Sequence, residues 1–199
     1  MMMSTIKSRP TYDGLRAMPR ARCNLVAVEG EGAAALSRLM AAAPEGFAAR
    51  THVLYVDAGQ PSALPALRRL HTDRLEVFAD VDGLLGALDA LLTDATMGLQ
   101  LYVAGTEGLV GRVVRLGIEH GIDHKSVLTE HVGSLARRVQ CVHCKLTAER
   151  VTTSVYECAG CGNLLFVRDH YSRRLAAFQG VCVNAEDPTE RPAAQDLYA

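Results

Sequence analysis

Four cysteines in the C-terminal third of the chain form two CxxC pairs, Cys141 with Cys144 and Cys158 with Cys161, separated by thirteen residues. A tight turn can place both thiolates of a pair on one side, and two such turns facing each other form a tetrahedral S4 cage. That donor set suits zinc, or iron of the rubredoxin kind. The spacing therefore predicts a metal site, with two disulfides or free buried thiols as the alternative. His143 is a further candidate ligand in place of a cysteine, although we expect it on the exposed part of the turn.

The residues around these pairs predict a small ribbon. Val151–Tyr156 is a β-branched run typical of a strand that leads into the second turn, and Leu164–Val167 is typical of the strand that leads out of it. Gly162 follows the second pair, where a glycine can adopt a positive φ, whereas Lys145 takes that place after the first pair. We expect a zinc-ribbon or rubredoxin-like metal-binding domain over residues 139–185.

Composition limits the classes of function. A chain of 199 residues with 49% hydrophobic residues has room for one or two domains with a sizeable core. A net charge of −1, few aromatic residues and no Trp argue against a nucleic acid or an anionic membrane as the partner. No stretch approaches the roughly 20 apolar residues of a membrane span, and the N-terminus has no apolar h-region. We therefore expect a cytoplasmic protein, in which thiols stay reduced and available to a metal.

Upstream of the cysteines, short apolar strands alternate with helical stretches. The predicted strands are residues 24–28, 52–56, 75–78, 99–103 and 126–130, and the predicted helices are 33–43, 61–70, 81–92 and 109–120. Strands rich in Val and Leu, each followed by a helix, indicate a doubly wound parallel five-stranded α/β sheet, a Rossmann-like domain over residues 23–133. Residues 1–22 are expected to form an N-terminal arm that packs on the body or a partner, or is disordered. Residues 186–199 are expected to form a flexible tail.

The segment Leu25–His131 resembles the nucleotide-binding half of ferredoxin reductase-type flavoproteins. In that family the first strand opens into a glycine-rich turn over the pyrophosphate, and Gly30 and Gly32 stand in the corresponding turn here. The family's fourth strand ends in a turn beside the nicotinamide, where this chain has Gly105 and Gly108. Glu130–Val132 stands where the family's last strand ends in a short Glu-containing motif.

Departures from that family lie at the residues that would hold the nucleotide. Glu29 and Glu31 put two carboxylates in the phosphate turn, and like charges about 4 Å apart cost roughly 1 kcal/mol in water and more where solvent is excluded. Ala104 and Thr106 replace the cysteine and the proline of the family's Cys-Gly-Pro turn. The segment before Leu25 has no room for the flavin barrel that precedes this half in the family. The loops are therefore read as degenerate, and we do not expect NAD(P) on this chain.

The segment Asp169–Cys182, after the paired CxxC motifs, is similar to the small subunit (DmmA type) of bacterial dimethylamine monooxygenase. Together with the reductase-like domain, the resemblance covers about residues 23–188. It implies membership of a multi-component, NAD(P)H- and O2-dependent oxidative N-demethylase, with haem-containing and flavin/iron–sulfur reductase subunits as partners. This chain is then an accessory subunit with a structural or docking role and zinc in its ribbon. The alternative is a rubredoxin-like electron-transfer subunit with iron in the S4 site.

No residues with a catalytic pattern stand out. Neither CxxC pair is followed by the His of a haem-attachment motif, and no Ser/His/Asp set has an interpretable spacing. The segment with Arg173 and Arg174 is either a partner-docking or anion-binding patch or a solvated turn. Cys23 and Cys182 lie outside the pairs, and we expect both to be at least partly buried thiols.

Overall fold

The computed structural model describes residues 8–187 and 189–199, and the chain divides into two compact units. One unit is Tyr12–Gly133. The other combines Ser134–Ala199 with residues 8–11. Each unit has a hydrophobic core of its own.

The first unit is a parallel sheet flanked by helices. Its strands are β1 (Cys23–Glu29), β2 (Thr51–Val56), β3 (Arg74–Phe78), β4 (Leu99–Gly105) and β5 (Leu128–His131), and its α-helices are α1 (Gly32–Ala42), α2 (Ala63–Arg68), α3 (Val81–Thr93) and α4 (Glu107–Glu119). All neighbouring strands are parallel, in the order β3-β2-β1-β4-β5. This order confirms the predicted doubly wound α/β class. Because the order reverses between β1 and β4, the ligand crevice of such sheets lies at their carboxyl ends.

Alternate residues of β1 enter two cores on opposite faces of this sheet. Leu25 and Ala27 belong to the core that contains residues of α3 and α4, whereas Val26 and Val28 belong to the core that contains residues of α1 and α2. A central strand buried on both faces gives a continuous apolar run in the sequence. The longest helices, α3 and α4, have 13 residues each, and no helix in the described part of the chain is long and apolar enough to cross a membrane.

Residues 12–22 pack on the α/β unit. The backbone N–H of Gly14 donates to the carbonyl of Thr129 in β5 at 3.1 Å, and that of Met18 donates to the Tyr102 hydroxyl in β4 at 3.1 Å. Leu15, Ala17 and Met18 contact the core on the α1 and α2 side of the sheet. The sequence leaves open whether residues 1–22 pack on the body of the protein, pack on a partner or are disordered. Residues 12–22 pack on the body of the protein. Residues 1–7 of that predicted arm lie outside the described residues.

The second unit is a small β structure. Its strands are β6 (Arg137–Cys141), β7 (Thr147–Val151), β8 (Thr153–Ser154), β9 (Tyr156–Glu157), β10 (Leu164–Ser172), β11 (Ala177–Cys182) and β12 (Gln195–Asp196). The main sheet has the order β7-β6-β11-β10-β9, in which β6 and β11 are parallel and the other neighbours antiparallel. The predicted single strand over 151–156 is divided among β7, β8 and β9. The reason is that Val151, Ser154 and Tyr156 pair with three different strands, β6, β12 and β10.

A buried arginine lies in the core of the second unit. The guanidinium carbon of Arg137 is 4.1 Å from the ring centroid of Phe178 and 3.9 Å from that of Tyr198. Arg137 also donates to Asp169 at 2.9 Å, and Asp169 accepts a second bond from Arg9 at 2.6 Å. Partial burial raises the pKa of Asp169, but the hydrogen bonds from Arg9 and Arg137 outweigh it and hold that pKa below its usual value. Two ring faces and a carboxylate thus replace the water that the guanidinium loses.

The C-terminal residues also contribute to this core. The backbone N–H groups of Leu197 and Tyr198 donate to the carbonyl of Thr152 at 3.1 and 2.9 Å, and β12 pairs with β8. Tyr198 is 8% exposed. The sequence predicts a flexible tail over 186–199, yet its last five residues pack on the second unit because Tyr198 supplies one of the two rings around Arg137.

Replacing Asp169 by asparagine removes the negative charge beside Arg137 and keeps the side-chain shape. We expect Asp169→Asn to lower the free energy of unfolding by about 2 kcal/mol at neutral pH, because a buried cation then lacks its anion. The folded-state pKa of Asp169 is lowered, so its stabilisation is present above the unfolded value of about 3.9 and is lost as the pH falls through the folded-state value. Urea unfolding of the full chain at a series of pH values should show the difference shrinking below about pH 4. Asp196→Asn, at an exposed carboxylate of the same unit, is the control, and equal losses in both variants would contradict this role.

Candidate metal centre

The two cysteine turns repeat the same backbone hydrogen bonds. In the first turn, which follows β6, the N–H of Lys145 donates to the Cys141 carbonyl at 3.0 Å and the N–H of Cys141 donates to the Leu146 carbonyl at 2.9 Å. In the second turn, Gly162 donates to the Cys158 carbonyl at 2.8 Å and Cys158 donates to the carbonyl five residues on, at Asn163, at 2.9 Å. Each CxxC pair is therefore a closed knuckle, defined here as the residues from the first cysteine to the fifth residue after it.

The fourth residue after the first cysteine of each knuckle has a left-handed backbone. Gly162 has φ 72°, as the sequence predicts, and Lys145 has φ 68°. A glycine adopts this conformation without a Cβ clash, whereas a lysine pays about 1 kcal/mol. The two knuckles thus have the same shape, although one of them carries a residue that opposes it.

The knuckles bring four sulfur atoms together. All four Sγ atoms lie within 4.8 Å of one another, with 3.8 Å between Cys141 and Cys161 and 3.6 Å between Cys144 and Cys158. A tetrahedral ion with metal–sulfur bonds of about 2.3 Å needs sulfurs about 3.8 Å apart. The four cysteines are free thiols. The cluster therefore fits a metal ion, and its four sulfur donors are those that zinc and iron accept.

The pKa of Cys158 and that of Cys161 depend on the other cage thiols. Burial raises the pKa of Cys158, but backbone N–H bonds from Gly160 and Cys161 outweigh it and lower that pKa to about 7. The backbone N–H of Asn163 lowers the pKa of Cys161, yet burial and the hydrogen bonds to the other three cage thiols raise it to about 12. Four neighbouring sulfurs do not all ionise by themselves because like charges repel, and a bound cation removes that obstacle.

Burial differs across the cage. Cys141 is fully buried and Cys158 is 2% exposed, and both pack with Leu165. Cys161 is partly exposed and Cys144 is exposed. One side of the cage therefore belongs to the core of the unit and the other side faces solvent.

Other residues singled out by the sequence lie outside the cage. His143 is exposed, and the cluster of ligand atoms consists of the four sulfurs. Cys182 is partly buried, as predicted, and its thiol donates to Asn184 at 3.3 Å. Cys23 is exposed, contrary to the prediction, because it is the first residue of β1 and precedes the buried part of that strand.

Arg173 and Arg174 lie at the tip of the β10–β11 hairpin, and both are exposed. The second knuckle ends where β10 begins, whereas the hairpin tip follows the last residue of β10. A nine-residue strand spans roughly 30 Å, so the two arginines are at the opposite end of this strand from the metal ligands. A role for these arginines is therefore separable from metal binding.

The glycine-rich loops of the α/β unit meet at the carboxyl ends of β1 and β4. Gly30 has φ 48° in the turn before α1, Gly32 begins α1, Gly105 ends β4 and Gly108 lies in the first turn of α4. A Cβ at Gly32 would lie 2.2 Å from the carbonyl oxygen of Ala104, so glycine is required for this approach. The four glycines thus surround the crevice between β1 and β4.

A carboxylate of the protein itself occupies this crevice. Glu29 is 7% exposed, and its Oε2 accepts hydrogen bonds from the Thr106 hydroxyl at 2.7 Å and the Thr106 N–H at 3.3 Å. Thr106 directly precedes α4, and the N-terminus of a helix favours a negative charge. Glu31 is exposed. The sequence shows the two acidic residues but does not show that Glu29 bonds to Thr106. The available signal for this bond is a threonine at the start of a predicted helix.

Two family models match the chain. The N-terminal domain of dimethylamine monooxygenase subunit DmmA-like proteins matches residues 4–127, and the C-terminal domain of the same proteins matches residues 138–181. The first match alone spans more than half of the chain. The chain belongs to the dimethylamine monooxygenase subunit DmmA-like family. All four cage cysteines lie inside the C-terminal match.

A relative and two solved structures give further likenesses. The heme-dependent oxidative N-demethylase delta subunit of Ectopseudomonas mendocina (strain ymp) is 33% identical over 111 residues, which are 56% of this chain and 63% of that protein. The ferredoxin reductase in carbazole 1,9a-dioxygenase is 18% identical, with 55% of this chain and 32% of that chain covered and a TM-score of 0.39. Full-length CYP116B46 from Tepidiphilus thermophilus is 25% identical, with 66% of this chain and 19% of that chain covered and a TM-score of 0.42. The strand order of this chain, and not these likenesses, establishes its fold class.

The position of Glu29 leads to a prediction about nucleotides. We expect calorimetric titration of the full chain with NADH or NADPH to show no affinity up to millimolar concentrations, because the carboxylates of Glu29 and Glu31 flank the turn after β1 and repel a phosphate there. Injection of each nucleotide into buffer is the control for heats of dilution. A dissociation constant in the micromolar range would mean that the crevice still accepts a dinucleotide.

Proposed function

We propose that the chain is an accessory subunit of a multi-component, NAD(P)H- and O2-dependent dimethylamine monooxygenase. The four-cysteine cage carries this proposal, because it could hold a metal ion and lies within the region that matches the family's C-terminal domain. The name of the relative, the delta subunit of a heme-dependent oxidative N-demethylase, supports a place in such an assembly. The partners are then the haem-containing subunit and the flavin/iron–sulfur reductase subunit. We further propose a cytoplasmic location, since a tetrathiolate site needs a reducing compartment.

The proposed division of labour places no catalytic step on this chain. Residues 23–133 act as a docking scaffold whose nucleotide crevice is occupied by Glu29, and residues 139–185 act as a metal-stabilised ribbon. Zinc in this ribbon has a structural role, because Cys141 and Cys158 are part of the buried core and the ion links both knuckles to it.

One observation favours a second candidate, a rubredoxin-like electron carrier with iron in the cage. Cys144 is exposed and Cys161 is partly exposed, so an electron could enter or leave the cage at these two residues. Metal analysis of the purified chain, with a visible spectrum, separates the two candidates because ferric S4 iron is coloured and zinc is colourless.

Removing one ligand tests the cage itself. We expect Cys158→Ser to lose the metal ion and to unfold roughly residues 139–185 while leaving the α/β unit folded, because metal binding supplies much of the folding free energy of a small ribbon. Elemental analysis and limited proteolysis with peptide mapping measure both effects. Cys182→Ser, at a cysteine outside the cage, is the control. A Cys158→Ser variant that keeps one metal equivalent and its protease resistance would refute the assignment.

The assembly role is tested with the arginines at the hairpin tip. We expect no oxidation of dimethylamine by the purified chain with NADH or NADPH and O2, and activity once the haem and reductase subunits are added.

Replacing Arg173 and Arg174 by alanine should weaken co-purification with those subunits at unchanged metal content, because arginines provide directed interface hydrogen bonds.

A matched arginine pair provides the control for this experiment. Arg68 and Arg69 are also adjacent and exposed, but they lie in the α/β unit. Their double alanine variant carries the same loss of charge and should assemble normally. Turnover by this chain alone, or full activity of the other subunits without it, would overturn the accessory role.

A further inference from the structure

Cys144 is the most exposed residue of the four cage cysteines. Cys144 is exposed, whereas Cys141 is fully buried and Cys158 is 2% exposed. A cysteine bound to a metal is a thiolate, and oxidation of cysteine follows thiolate character and exposure. A small oxidant dissolved in water therefore meets a reactive sulfur at Cys144.

A second sulfur is in place to complete the reaction. The Sγ of Cys158, on the other knuckle, is 3.6 Å from the Sγ of Cys144. The second knuckle lies directly against this sulfur, since a Cβ at Gly160 would be 3.1 Å from the Cys144 Sγ. A reactive, exposed cysteine next to a resolving cysteine is the arrangement of thiols that undergo reversible oxidation.

We propose that Cys144 is a site of oxidation by hydroperoxides, and that its oxidation forms a disulfide with Cys158 and releases the metal ion. This inference rests on the proposed metal centre. The Cys144 thiolate attacks one oxygen of hydrogen peroxide, the O–O bond breaks, and a sulfenic acid and a hydroxide ion form. The Cys158 thiolate then attacks the sulfenic sulfur, the S–O bond breaks, and a second hydroxide leaves. Two sulfurs lose one electron each, and the two peroxide oxygens gain them.

Release of the ion follows from the loss of ligands. The disulfide removes two of the four thiolates, so Cys141 and Cys161 remain for the metal. Two thiolates bind an ion far more weakly than four, and the ion exchanges into solution. A thiol reductant restores both sulfurs, so the change is reversible as long as oxidation stops at the disulfide. The second unit would thereby report hydroperoxide as a loss of its metal.

The experiment uses the full-length chain loaded with zinc, with Cys23→Ser and Cys182→Ser introduced so that the four cage cysteines are its only thiols. Hydrogen peroxide is added, released zinc is followed with a metallochromic dye, and disulfides are located by peptide mapping without reduction. We expect one Cys144–Cys158 disulfide for each zinc ion released, and recovery of zinc binding after treatment with dithiothreitol and zinc.

The control variant is Cys144→His, because an imidazole retains a zinc ligand but forms no disulfide. We expect it to hold zinc and to release it with hydrogen peroxide at least about tenfold more slowly, since the most exposed cysteine of the cage is gone. If this variant does not retain zinc, the peptide map of the parent chain tests the proposal by itself, through the presence or absence of the Cys144–Cys158 disulfide. Unchanged zinc content under peroxide, or a disulfide confined to one knuckle, overturns the inference. An untreated chain that binds no metal refutes the proposed metal centre instead, so the two failures are distinguishable.

Discussion

The placement of four sulfur atoms within 4.8 Å of one another is the constraint on which the second unit depends. Each knuckle closes through its own backbone bonds, but nothing in a single knuckle specifies where the other lies. A bound cation compensates the charges of four thiolates that repel one another without it. The cage thus joins the end of β6 to the turn between β9 and β10, which are separate in the chain and belong to one sheet.

Arg137 and Cys141 mark the two ends of β6, and a polar centre is built at each end. At one end the guanidinium lies between two aromatic rings and beside Asp169, and at the other end four sulfurs form a cluster that could hold a metal ion. The buried apolar cluster between them is small. A unit of this size buries little apolar surface, so the sandwiched arginine and the proposed metal ion would add stability that a larger core would otherwise provide.

The α/β unit has the strand order of a ligand-binding sheet, and a carboxylate of its own lies at the start of α4. Gly32 permits the close approach of α1 to β4 that such a crevice needs, yet the anion at the start of α4 is the Glu29 carboxylate. A carboxylate within the chain stabilises the N-terminus of α4 without the translational entropy cost of binding a separate anion. This arrangement supports a scaffold role for the unit within the proposed assembly.

The sequence by itself determined the features that depend on local pattern. The parallel α/β class followed from apolar strands that alternate with helices, and the cysteine cluster followed from the CxxC spacing, because both signals lie within a few residues of the chain. Tertiary structure alone decided the features that depend on partners distant in sequence. These include the division of residues 151–156 among three strands, the pairing of Glu29 with Thr106, the packing of Tyr198 on Arg137, and the burial of Cys158 beside an exposed Cys144. Contacts between residues far apart in the chain leave no periodic trace in either segment, so only the folded chain reveals them.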